Sequence, residues 1–188
     1  TVLGALSNPR LADNTRKRVD QLMAAPVPPL LRTYTSAHFK ITYTDSDANV
    51  LQNVTLSDIV AMSQVLERAW TDYSKNFVPP KHKMIGGKQT VEVRVYDLGG
   101  TLYGSTSSAS NIIRISSNRV ARFRCKREST PVHELFHRVQ YASGYVSGAS
   151  EKYWAVEGTA AWSQKYLASH IGDYLSRLGS AMAAPDTA

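Results

Sequence analysis

The sequence predicts an α+β domain, and three kinds of pattern predict it. Two stretches alternate apolar with polar residues at the period of half-buried strands. A third repeats apolar residues at steps of three and four, the mark of an amphipathic helix. A fourth sets two histidines four residues apart among apolar neighbours. At 188 residues with 43% hydrophobic content, the chain is long enough to bury a core without covalent staples. Its one cysteine, Cys125, cannot form an intrachain disulfide and reads as a small buried hydrophobe.

Taken in order, Leu11 to Ala25 reads as a polar, basic helix with Leu11, Val19, Leu22 and Met23 as its apolar anchors, ended by Pro26-Val27-Pro28-Pro29. Residues 1–30 are therefore expected to form a helical arm and proline-rich linker ahead of one domain over residues 31–188. From Ala37 to Tyr43, Phe39, Ile41 and Tyr43 alternate with His38, Lys40 and Thr42. That strand points His38 outward. Asp45 to Asn49 is a turn, without the glycine and glutamate that a calcium loop requires.

Thr55 to Phe77 places Ile59, Met62, Leu66, Ala69, Trp70 and Tyr73 on one helix face, with Thr55 or Ser57 as cap. Val78-Pro79-Pro80 stops that helix, and Lys81 to Gln89 reads as a surface loop with His82 exposed. Val91, Val93 and Val95 alternate through a second strand over Thr90 to Leu98, and Asn111 to Ser116 is a third.

His133-Glu134-Leu135-Phe136-His137 carries the chemistry. Residues four apart on a helix lie about 40° apart in azimuth and about 6 Å apart along the axis, so both imidazoles can face one metal ion. Glu134, one step round, sits beside the open coordination position as a base rather than on the metal. Thr130 as N-cap, Pro131 at the first helical position, and Val132, Leu135, Phe136 and Val139 support the helix. With five histidines in the chain, chance placement of this pattern has odds of roughly one in a few hundred.

Glu157 follows within Trp154-Ala155-Val156-Glu157-Gly158-Thr159-Ala160-Ala161-Trp162. If the first helix ends near Gly144 and a second begins near Ser150, His137 and Glu157 are each about 10 Å from the connection. An antiparallel return then brings the carboxylate level with the second histidine. Gly158, Ala160 and Ala161 are expected to let the two helices approach closely.

The stretch from Thr130 to Tyr166 resembles the gluzincin, or thermolysin-like, branch of the zincin metallopeptidases. The resemblance implies a zincin-like fold: a small mixed β-sheet, with an edge strand by the cleft, packed on the histidine helix and a Glu-ligand helix. It implies zinc held by His133, His137 and Glu157, with Glu134 as catalytic base. The edge strand would bring Tyr103 to Ser116 along the cleft, so Asn111, Ile112 and Ile113 are expected to bind substrate; the residues alone equally allow an interior strand. Many relatives carry an acidic residue four positions after the ligand Glu to orient the first histidine, and here that position is Ala161. No Gly-x-Met-Glu-Asn motif is present, which favours an endopeptidase acting on protein or peptide. The C-terminal subdomain of such enzymes is expected to be minimal or missing.

No apolar run reaches the roughly 20 residues of a membrane span. The formal net charge of +7 raises nucleic acid as a partner. The basic run Arg122 to Arg127 comes without a recognition motif, so a nucleic-acid-binding domain is the lesser alternative. A catalytically silent, zinc-stabilised binding module is the other. A start at Thr1 rather than a methionine suits a processed product, and a secreted or extracellular setting is expected.

Overall fold

The computed structural model describes residues 28–99, 102–145 and 153–167, leaving aside the side chains of residues 125 and 153–155. The expected helix over Leu11–Ala25, a further short helix that the spacing over Ile171–Met182 suggests, and the Cys125 side chain lie outside the described residues.

A mixed six-stranded sheet carries the fold. Its strands are β1 (Arg32–Thr35), β2 (Phe39–Tyr43), β3 (Lys83–Ile85), β4 (Lys88–Tyr96), β5 (Gly104–Thr106) and β6 (Ile112–Ser116), and they pair in the order β1-β2-β4-β6-β5, with β3 beside β4. The β2–β4 and β4–β6 pairs are parallel, and β1–β2, β3–β4 and β5–β6 are antiparallel. The alternation read from the sequence becomes a register: Ile41, Val93 and Ile113 are direct neighbours across three strands, and each is fully buried. One face of the sheet is therefore apolar and needs covering.

Two helices supply the cover, α1 (Leu56–Asn76) and α2 (Arg124–Ala142), and α3 (Tyr153–Leu167) packs along α2. Thr55 caps α1 by accepting a hydrogen bond from the Asp58 backbone N–H at 3.1 Å. Its buried residues include all six that the periodicity selects, from Ile59 to Tyr73. Each large apolar side chain among them contributes about 1.5–3 kcal/mol of burial. Among the described residues no helix is long and apolar enough to cross a membrane.

Several expectations are corrected. Lys81 to Gln89 is not a loop: β3 and β4 form a hairpin joined by Gly86 and Gly87, whose φ angles of 57° and 78° suit a tight turn only glycine enters freely. β3 is exposed along its length, so no burial pattern announced it. His38 does not stand free in solvent. Its ring stacks on Trp70 with centroids 4.4 Å apart, and its Nδ1 lies 2.7 Å from Glu67 Oε2. His82 meets the same indole edge-on, and is half-buried.

The histidine helix also starts earlier than Thr130. α2 begins at Arg124 after Phe123, which makes no side-chain cap, and Pro131 lies inside it. A proline there removes one backbone bond to the preceding turn. Arg127 helps hold that first stretch by reaching Asp58 on α1 and the Ala121 carbonyl.

Asn111, Ile112 and Ile113 do not form a free edge. β6 is paired on both sides, by β4 and β5, and Ile113 is fully buried. Asn111 holds the sheet together: its backbone oxygen accepts from Glu92 N–H, and its Nδ2 donates to the Thr90 carbonyl at 2.9 Å. Among the described strands the edge beside α2 is β5.

Candidate metal centre

From Ser129 to Gln140 every residue of α2 is buried, so this stretch of the helix is enclosed on all sides. Val132, Leu135, Phe136 and Val139 belong to the core. Tyr73 on α1 donates its hydroxyl to the Val132 carbonyl at 3.3 Å, which ties α1 to the turn that carries His133. The remaining arc holds Ser129, Thr130, His133, Glu134, His137, Arg138 and Gln140.

α3 packs along α2 and brings Glu157 to the histidines. Ala160 makes the close approach, being fully buried, whereas Gly158 faces outward and a Cβ placed on it would meet nothing within 4 Å. The expected role of Gly158 in helix contact is therefore corrected. Glu157 straddles the pair: Oε2 lies 3.2 Å from His133 Nε2 and Oε1 3.5 Å from His137 Nε2. The two imidazole Nε2 atoms are themselves 3.1 Å apart.

These three side chains form a group that could hold a metal ion, with all donor atoms within 4.8 Å of one another. Ligands at zinc-like bond lengths and tetrahedral angles sit roughly 3.3–3.6 Å apart. The observed spacings of 3.1, 3.2 and 3.5 Å fall close to that range. An ion pair with Glu157 needs only one histidine. Two buried ring nitrogens aimed at the same carboxylate and at each other match a cation's donor set better.

Protonation states favour the same use. Burial pushes the His137 pKa down to about 4, the neighbouring His133 adds to this, and Glu157 and Gln140 act against it. His137 is therefore neutral near pH 7, with a lone pair to offer. Its Nδ1 lies 2.7 Å from Gln140 Oε1. The Nδ1 of His133 is buried without a hydrogen-bond partner. Position 161, where the resemblance would put an orienting acid, offers only the methyl of Ala161.

Glu134 is 6% exposed, one residue from the first histidine. It lies directly under the edge strand: a Cβ built on Gly104 would come within 2.9 Å of both Cγ and Oε1 of Glu134, and 3.0 Å of Thr130 Cγ2. Only a residue without a side chain lets β5 rest on that carboxylate. Arg138, 1% exposed, fixes the other end of the hairpin. Its guanidinium donates to the backbone oxygens of Lys81, Ser107 and Ser110 and to Asn111 Oδ1. Burial pushes its pKa down to about 10, and the charge of Tyr141 acts against this, so it is a cation at physiological pH, held by neutral acceptors.

No family model, no curated protein and no solved structure matches the chain. The functional reading therefore rests on the chemistry of the site. Sequence reasoning named His133, His137 and Glu157, whose donor atoms meet here, and Glu134, buried next to His133; of the two readings it left open for Asn111, Ile112 and Ile113, the structure shows the interior strand and not the edge. That reasoning missed Gln140, Tyr141 and Gly104. Helical spacing could have found the first two, because they stand three and four residues after His137; Tyr141 stacks on that ring with centroids 6.3 Å apart. Tyr145 and Tyr166, near the site in sequence, are about half exposed, and Tyr166 stacks on Trp162.

Proposed function

We propose that the chain is a zinc-dependent endopeptidase with a zincin-like fold, acting on extended protein or peptide segments. The observation that carries this reading is the meeting of the His133, His137 and Glu157 donor atoms; Glu134, the residue after His133, is buried under the edge strand β5. Zinc held by those three residues would supply a Lewis acid for a peptide carbonyl and lower the pKa of water towards neutrality.

The chain's own residues do the rest. Glu134, buried and one residue from His133, accepts a proton from the attacking water and passes it to the departing amine. β5 ends the strand order among the described residues, and strand pairing there would grip an extended peptide without reading its side chains. Gly104 keeps that peptide path close to the Glu134 carboxylate.

Elemental analysis of the purified chain is the first test, with one zinc per chain expected. Glu134→Gln should keep that zinc and lose peptide hydrolysis by about 10²–10⁴-fold, the usual weight of a general base. His137→Ala should lose the metal. A Gln variant as active as the parent would reject the base role. Stoichiometric zinc without cleavage of casein or a peptide library would leave a metal-stabilised binding module.

A further inference from the structure

Gln140 stands one turn beyond His137, 6% exposed, and its carboxamide bridges the two helices. Nε2 lies 2.8 Å from the Val156 carbonyl oxygen and 2.7 Å from Thr159 Oγ1 on α3. Oε1 lies 2.7 Å from His137 Nδ1 on α2. A backbone carbonyl can only accept, so the amide end that faces Val156 must be the NH₂ group. That leaves the oxygen towards His137, and an oxygen there requires the ring to present Nδ1–H. The lone pair of His137 is then on Nε2, the atom that faces His133 and Glu157.

Val156 and Thr159 flank Glu157 within one turn. One amide thus sets which nitrogen of His137 is free and where the helix bearing the third donor sits. We infer that Gln140 is a positioning residue: it selects the Nδ1–H tautomer of His137 and fixes the register of the Glu157 helix against it. The inference rests on the metal reading above for its purpose, but the tautomer can be read without metal. A group that orients a ligating histidine usually weakens metal affinity 10–100-fold when lost.

The test uses the full chain, Gln140→Leu and Gln140→Glu. Long-range ¹H–¹⁵N spectra of the metal-free parent should show His137 as the Nδ1–H tautomer, and Gln140→Leu should lose that preference. Zinc affinity, from competition with a chromogenic chelator, should fall about 10–100-fold in Gln140→Leu. Gln140→Glu keeps an acceptor for Nδ1–H but gives up the donor to Val156, so it should keep the Nδ1–H tautomer in the spectra and lose less zinc affinity than Gln140→Leu, a partial rescue that mere packing would not produce. An Nε2–H ring in the metal-free parent overturns the inference, as does unchanged zinc affinity in the Leu variant or an equal fall in both variants. A parent chain that takes up no zinc rejects the metal centre instead, and the spectra still decide the tautomer.

Discussion

α1 and α2 cover the same apolar sheet face, yet they bury opposite kinds of residue. α1 buries Ile59, Met62, Val65, Leu66, Ala69, Trp70 and Tyr73, with Ser63 the one small polar exception. α2 buries two histidines, a glutamate, an arginine and a glutamine within the eight residues from His133 to Gln140. Sequestered polar groups stabilise a fold only so far as their bonds are made, and His133 Nδ1 has none. The first helix holds the molecule together, and the second is held in place by the rest so that its polar side chains can act.

Core truncation should expose that contrast most strongly. Leu66→Ala, on α1, is expected to lose about 2–5 kcal/mol of stability by denaturant titration, with zinc stoichiometry unchanged. His133→Leu should abolish zinc binding and leave the metal-free chain within about 1 kcal/mol of the parent, or more stable, because functional polar groups commonly cost stability. Equal destabilisation by both substitutions would erase the distinction.

Gly104→Ala should act next most strongly, and on catalysis alone. The added methyl meets the Glu134 side chain, and a small displacement of a reacting group can cost about 10²-fold. The fall is expected in kcat, with zinc content and melting temperature kept. An unaltered kcat would show that β5 can shift without consequence.

Acid should separate the two helices by smaller margins. His137 has a folded pKa of about 4 against an ordinary 6.5, so the unfolded chain binds more protons between those values. Stability of the metal-free chain should therefore fall as pH drops from about 6.5 to about 4, and His137→Asn should flatten that window. On α1, burial raises the Glu67 pKa, but hydrogen bonds from His38 and Ser36 and the His38 charge outweigh it and leave it lowered. Its contribution is present above the ordinary 4.5 and lost as pH falls through its lower folded value, so Glu67→Gln should lower stability above 4.5, flatten the pH dependence below it, and match the parent most closely in acid.

α1 was legible because its signal is local: every residue chosen by spacing is buried, and Thr55 caps it as its sequence suggests. The start of α2 was not, because Pro131 imitates a first helical position while Arg127 secures an earlier turn through Asp58, 69 residues away. The convergence of His133, His137 and Glu157 was readable from helical geometry and the length of one connection. Edge identity was not, since whether Ile112–Ser116 or Gly104–Thr106 lies outermost depends on which strands pair, a property of the whole sheet. Gly104 carries no sign in the sequence of the carboxylate beneath it.

The sheet's two margins differ in a way that bears on handling the molecule. β1 carries Arg32, ion-paired with Asp45, and a charge on an outer strand discourages copies from adding to it. β5 is three residues of Gly, Ser and Thr, with no charge, proline or bulky side chain. If an extended peptide pairs with β5 as proposed, another molecule of the same protein can pair there too, so crowding at high concentration should lower peptide hydrolysis first.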